Sequence, residues 1–171
     1  WPSDWKYASI TIPDIKINYH QNGNEDDYDI IPAFDKKMNL RCEITARKNN
    51  LGGIWINGEA VPLRVVTDAI NDPKIEFAVP YSSQYHIRIK WGGEKNVVEK
   101  YDSIAIANQI FTIKITGAKV VGVKDPQQTL SDIKINGNQL SGKVDGEKGA
   151  HTLFAKVQQN KLSWWIPVNF T

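Results

Sequence analysis

Glu25, Asp26, Asp27 and Asp29 form the densest run of oxygen donors in the chain. Calcium takes about six to eight oxygens, usually from a flexible loop, and Asn22 and Asn24 could add to the set. Calcium is the one cofactor these residues suggest. The spacing is not that of an EF-hand, and a solvated polar loop over residues 20–29 explains the same run more simply. His20, His86 and His151 lie far apart with no partner at zinc-ligand spacing. Cys42, the only cysteine, has no neighbouring histidine to make it a thiolate nucleophile. It reads as a small buried hydrophobe. No Gly-x-Ser-x-Gly elbow, phosphate loop or dinucleotide fingerprint is present. Catalytic residues: none are expected in this segment.

The aromatic residues say more. Trp164 and Trp165 are adjacent in a strand-like segment, so they must point to opposite faces. Trp164 shares its face with Leu162, Ile166 and Val168, which predicts a core position. Trp165 shares its face with Ser163 and Pro167, which predicts an outward one. A flat aromatic can stack on a sugar ring, since both are apolar plates with polar edges. Trp165 and Tyr81 are therefore the candidate glycan contacts. Trp55 and Trp91 stand among isoleucines and are expected in the core.

These side chains need elements to hold them, and the composition indicates strands. Ile (21) and Val (12) outnumber Leu (7) and the single Met. Residues branched at Cβ lose rotamer freedom in a helix and pack well on a pleated surface. Period-two alternation runs through residues 7–12, 15–19, 38–47, 74–79, 84–91, 110–116, 119–124, 140–144, 151–157 and 162–170. Asn49-Asn50, Gly52-Gly53 and Gly92-Gly93 are expected to end strands. Asn57-Gly58 and Asn136-Gly137 are expected to be two-residue hairpin turns with positive φ. Pro62 marks its strand as an edge or a bulge, and residues 66–72 are the one stretch that could form a short helix.

The reading is an all-β antiparallel sandwich, in two packed Ig-like units. Residues 8–100 form the larger unit and 101–171 the smaller C-terminal one. Residues 1–7 read as a connector from a preceding domain of the same polypeptide. Net charge is +2, which supports no nucleic-acid partner. No apolar run approaches the ~20 residues of a membrane span.

Three C-terminal segments carry a family resemblance. They are Gly122-Val-Lys-Asp125-Pro126-Gln127, then Gly149-x-His151-Thr152-Leu-Phe154-x-Lys156-Val157-x-Gln159, then Trp164-Trp165-x-Pro167-Val168. Together with Val79-Pro80 and Tyr85 to Trp91, they resemble the C-terminal β-sandwich region of bacterial multidomain six-hairpin glycosidase-like proteins. In such proteins the catalytic acids lie on an α/α toroid, so none carries over to this chain. The resemblance implies a non-catalytic accessory domain in the periplasm or at the cell surface, bracing the catalytic domain and contacting carbohydrate. An autonomous carbohydrate-binding module and a structural Ig-like adhesion module are the alternatives.

Overall fold

The computed structural model describes residues 4–96 and 101–171. Among these residues the fold is all-β, with sixteen strands and no helix. The chain divides into two compact units. One comprises residues 1–65 and 75–95, the other 66–74 and 96–171. Residues 66–74 group with the second unit.

The first unit holds a six-stranded sheet. Its order is β1 (Tyr7–Ile12), β2 (Ile15–Asn22), β3 (Glu25–Pro32), β9 (Tyr85–Lys95), β5 (Lys48–Ile56) and β6 (Glu59–Ala60). A three-stranded sheet follows the order β4 (Leu40–Thr45), β8 (Lys74–Val79), β7 (Arg64–Val66). Alternation explains β9 well. Tyr85, Ile87, Ile89 and Trp91 are all buried, while His86, Arg88 and Lys90 are exposed on the other face. Ile54 and Ile56 of β5 and Ile30 of β3 are buried on that same inner side. Glu76 ties the small sheet together, accepting from Arg41 on β4 and from Arg64 on β7.

The second unit holds a four-stranded sheet in the order β10 (Tyr101–Ser103), β16 (Leu162–Phe170), β15 (His151–Gln159), β12 (Lys119–Lys124). A three-stranded sheet has the order β11 (Ile110–Lys114), β14 (Gln139–Val144), β13 (Leu130–Asn136). Leu153, Ala155 and Val157 of β15 are buried with Leu162, Trp164, Ile166, Val168 and Phe170 of β16. Pairing is antiparallel throughout this unit except between β10 and β16 and at an isolated Ile70–Trp165 bridge.

Several expectations are corrected. Residues 20–29 are not a loop: they form the β2–β3 hairpin around Gly23 and Asn24. Their polar side chains are compatible with a strand because one face of an antiparallel sheet can meet water. Residues 66–72 form no helix. The Trp165 amide donates to the Ala69 carbonyl (2.8 Å), and the Asn71 amide donates to the Trp165 carbonyl (2.8 Å), so this segment lies along β16. Gly52-Gly53 and Gly92-Gly93 do not end their strands. They lie inside β5 and β9, where the register shifts twice and Gly53 (φ 152°) and Gly93 (φ 72°) adopt positive φ. Bulges bend a strand without ending it. The return strand after β5 is split at Pro62 into β6 and β7, as a residue without an amide proton requires. Of the expected connector, residues 1–3 lie outside the described residues, and Tyr7 is already the first residue of β1. Among the described residues, no helix is long and apolar enough to cross a membrane.

Candidate functional site

The outer face of β3, β9 and β5 concentrates the polar chemistry of the first unit. Register sets Glu25 opposite Lys90, and Lys90 opposite Gly53. The next row is Asp27, Arg88 and Trp55. The third pairs Asp29 with His86. Arg88 Nε donates to Asp27 Oδ1 at 3.1 Å and lies 4.0 Å from Glu25 Oε2. The hydrogen bond to Asp27 and its charge hold the Arg88 guanidinium above its ordinary pKa. His86 Nδ1 meets Asp29 Oδ1 at 2.8 Å. Asn57, in the turn after β5, clamps this end of β9 through its side chain. Its Oδ1 accepts from the His86 amide (2.8 Å), and its Nδ2 donates to the Gln84 carbonyl (3.1 Å).

Trp55 is the aromatic of this face. It lies between buried Ile54 and Ile56, so it points away from the core. This corrects its expected core position, which Trp91 does occupy at 2% exposure. Its indole leans back along β5 over Gly53, where a Cβ would stand only 2.8 Å from the ring's Cη2. A glycine two residues earlier on the same face is what lets the ring lie down. With Glu25, Gly58, His86, Arg88 and Lys90, Trp55 lines a depression of about 350 Å³. The arrangement offers one apolar plate beside carboxylate acceptors and guanidinium, imidazole and ammonium donors.

The four acids of the calcium expectation are not brought together. Alternation along β3 puts Glu25, Asp27 and Asp29 outside, against Arg88 and His86, and turns Asp26 inward. Asp26 is 3% exposed and pairs with Arg47 at 3.1 Å. Its carboxylate also accepts from the Trp91 indole and the Tyr19 hydroxyl. Burial pushes the Tyr19 phenol up to about 12, with the Asp26 charge adding to it. Burial and the same charge also raise Tyr28. No group of three or more acid, histidine or cysteine side chains that could hold a metal ion exists among the described residues. Cys42 has its thiol pushed up to about 11 by burial, which favours the inert thiol.

The two candidate glycan contacts lie elsewhere. Trp165 points to the opposite side of β16 from Trp164 and is half-buried, whereas Trp164 is fully buried. The Trp165 ring lies near Gly122 of β12, whose Cβ would stand 3.8 Å from its Cη2. The ammonium groups of Lys124 and Lys156 stand 4.8 and 5.4 Å from the ring centre. Tyr81 is 42% exposed, lies 5.6 Å from the Lys37 ammonium, and lines a small apolar hollow with Phe34, Met38 and Leu40. Trp55 is not among the contacts expected from the sequence. The signal was present in its alternation with Ile54 and Ile56 and in Gly53 two positions before it.

No protein-family model matches the chain, and no curated protein is significantly similar to it.

Proposed function

We propose that the chain is a non-catalytic accessory β-sandwich domain of a bacterial carbohydrate-processing protein, acting outside the cytoplasm and contacting glycan through the Trp55 face. The observation that carries this reading is the Trp55 indole laid over Gly53 at the side of a 350 Å³ depression rimmed by Glu25, His86, Arg88 and Lys90. A pyranose presents an aliphatic face for an indole and a rim of hydroxyls for charged donors and acceptors. The resemblance of the C-terminal strands to glycosidase-like proteins supplies the context. A bracing role is supported by Phe34, Met38 and Tyr81, which leave 43, 49 and 42% of their surfaces exposed in the first unit.

A glycan array followed by calorimetry on the hits tests the reading. Trp55→Ala should lose about 1–3 kcal/mol of affinity, the scale of an aromatic anchor, with little change in melting temperature. Gly53→Ala should weaken binding too, because its new Cβ displaces the indole. Trp165→Ala and Tyr81→Ala, measured alongside, should have smaller effects on binding. An array without hits, or affinity indifferent to Trp55, would refute the proposal. Turnover of an aryl glycoside by the pure chain, abolished by changing one acid, would replace it with an enzyme.

A further inference from the structure

The outermost strand of the six-stranded sheet, β1, differs from the other sheet edges among the described strands. Its sequence, Tyr-Ala-Ser-Ile-Thr-Ile, contains no charge and no proline, and its pairing with β2 runs without a register shift. Proteins blunt exposed edges with short strands, charges or bulges. Every other edge here is blunted in one of these ways. β6, β7 and β10 are two or three residues long. β4 carries Arg41 and Glu43, and β11 carries Lys114. β12 carries two lysines and a register shift, and β13 carries Asp132, Lys134 and a shift of its own.

The backbone phase shows which groups of β1 are on offer. The Gln21 amide donates to the Lys6 carbonyl at 2.8 Å. Antiparallel ladders alternate bonded and non-bonded pairs. Ala8, Ile10 and Ile12 therefore spend their backbone groups on β2, and those of Tyr7, Ser9 and Thr11 point away from the sheet. Tyr7, Ile10 and Ile12 leave 63, 41 and 52% of their surfaces exposed.

We propose that β1 pairs antiparallel with β1 of a second copy of this chain, across a twofold axis at Ser9. In that register Tyr7 and Thr11 face each other's counterparts and Ser9 faces Ser9. All three outward pairs are hydrogen-bonded. Ala8 falls opposite Ile10 of the second copy, so a small side chain stands where the closer, non-bonded pairs need room. Ile10 and Ile12, exposed because the sheet ends at β1, gain a neighbouring strand. Lys6 falls opposite Ile12, so no like charges meet. The self-matching register of an uncharged strand is what favours a second copy over a different protein.

Sedimentation velocity on the 171-residue chain, over a concentration series, provides the test. The wild type should show a concentration-dependent dimer. Ser9→Lys and Ser9→Glu each place two like charges face to face and should weaken self-association by about tenfold or more. An equimolar mixture of the two variants should recover the dimer, as opposite charges then meet. Thr11→Pro, which deletes an outward amide proton while sparing the β2 ladder, should also give monomer. Circular dichroism melts report whether each variant is folded. A wild type that stays monomeric, a dimer untouched by folded variants, or a mixture that stays monomeric would each overturn the proposal.

Discussion

Asp26 shows how much one position in a strand decides. Its neighbours Glu25 and Asp27 stand in water with Arg88, while Asp26 is buried against Arg47, Tyr19 and Trp91. A buried ion pair contributes modestly as a whole, but removing one partner strands the other charge and costs about 3–5 kcal/mol. Asp26→Asn should therefore destabilise the first unit on that scale in urea denaturation. Asp29→Asn, which removes an exposed partner of His86, should change stability by only about 0–1 kcal/mol. Equal effects from the two substitutions would contradict the inward placement of Asp26. Trp164 offers a second contrast with its neighbour. Its indole is fully buried and its Nε1 has no hydrogen-bond partner among the described residues, where this side chain contributes through packing.

At the scale of the element, turns set the register that sorts these side chains. Ile56 pairs with Glu59, leaving Asn57 (φ 52°) and Gly58 (φ 88°) as the loop, the type I′ pattern. The second expected turn is displaced by one residue. Asn136 pairs with Gln139, so Gly137 and Asn138 form the loop, and only Gly137 (φ 61°) has positive φ, the type II′ pattern. Asn138 explains the shift. Its carbonyl accepts from the Ile115 amide at 2.8 Å, and its Nδ2 donates to the Ile115 carbonyl at 3.0 Å. A Cβ at Gly58 or Gly137 would meet nothing within 4 Å, so a substitution there tests backbone strain without a clash. Gly58→Val and Gly137→Val should each lower stability by about 1–3 kcal/mol. Unchanged denaturation midpoints would remove both turn assignments.

For the molecule as a whole, Tyr19 and Tyr28 define an alkaline limit. Tyr19 is raised from 10.0 to about 12, first by burial and then by the Asp26 charge. A raised folded-state value means that the native chain holds this proton more tightly than the unfolded chain. Its contribution to stability is complete below pH 10 and is lost as pH rises from 10 towards 12. Tyr28 is raised further still, again chiefly by burial. Phenolate absorbance should accordingly show a phase for Tyr19 and Tyr28 above the ordinary phenol value of 10.0, with loss of strand dichroism accompanying that phase. Ionisation of Tyr19 and Tyr28 at the ordinary phenol value with the strand dichroism intact would contradict this limit. The near-balanced net charge of +2 gives the whole chain no strong field for steering a polyanion.

Much of this fold was legible in the sequence because strand period and side-chain polarity agree. The excess of Ile and Val determined an all-β chain, and alternation correctly placed Trp164 inside and turned Trp165 to the opposite face. Residues 20–29 read instead as a loop, because polar residues on the wet face of a strand resemble one when no partner strand is in view. Glycine pairs misled for a related reason. Gly52-Gly53 reads as a stop in one dimension, but beside β9 it is a bulge that also makes room for the Trp55 ring. Local sequence therefore determined which residues form strands and which face each can take. Only the tertiary structure decided which strands are neighbours, because hydrogen bonding between β3, β9 and β5 joins residues far apart in the chain, such as Asp27 and Arg88, 61 positions apart, and Asp26 and Trp91, 65 positions apart. That pairing brought Asp26 to Trp91 on the inner face and set Trp55, Arg88 and Asp27 in one row on the outer face, which no spacing along the chain encodes.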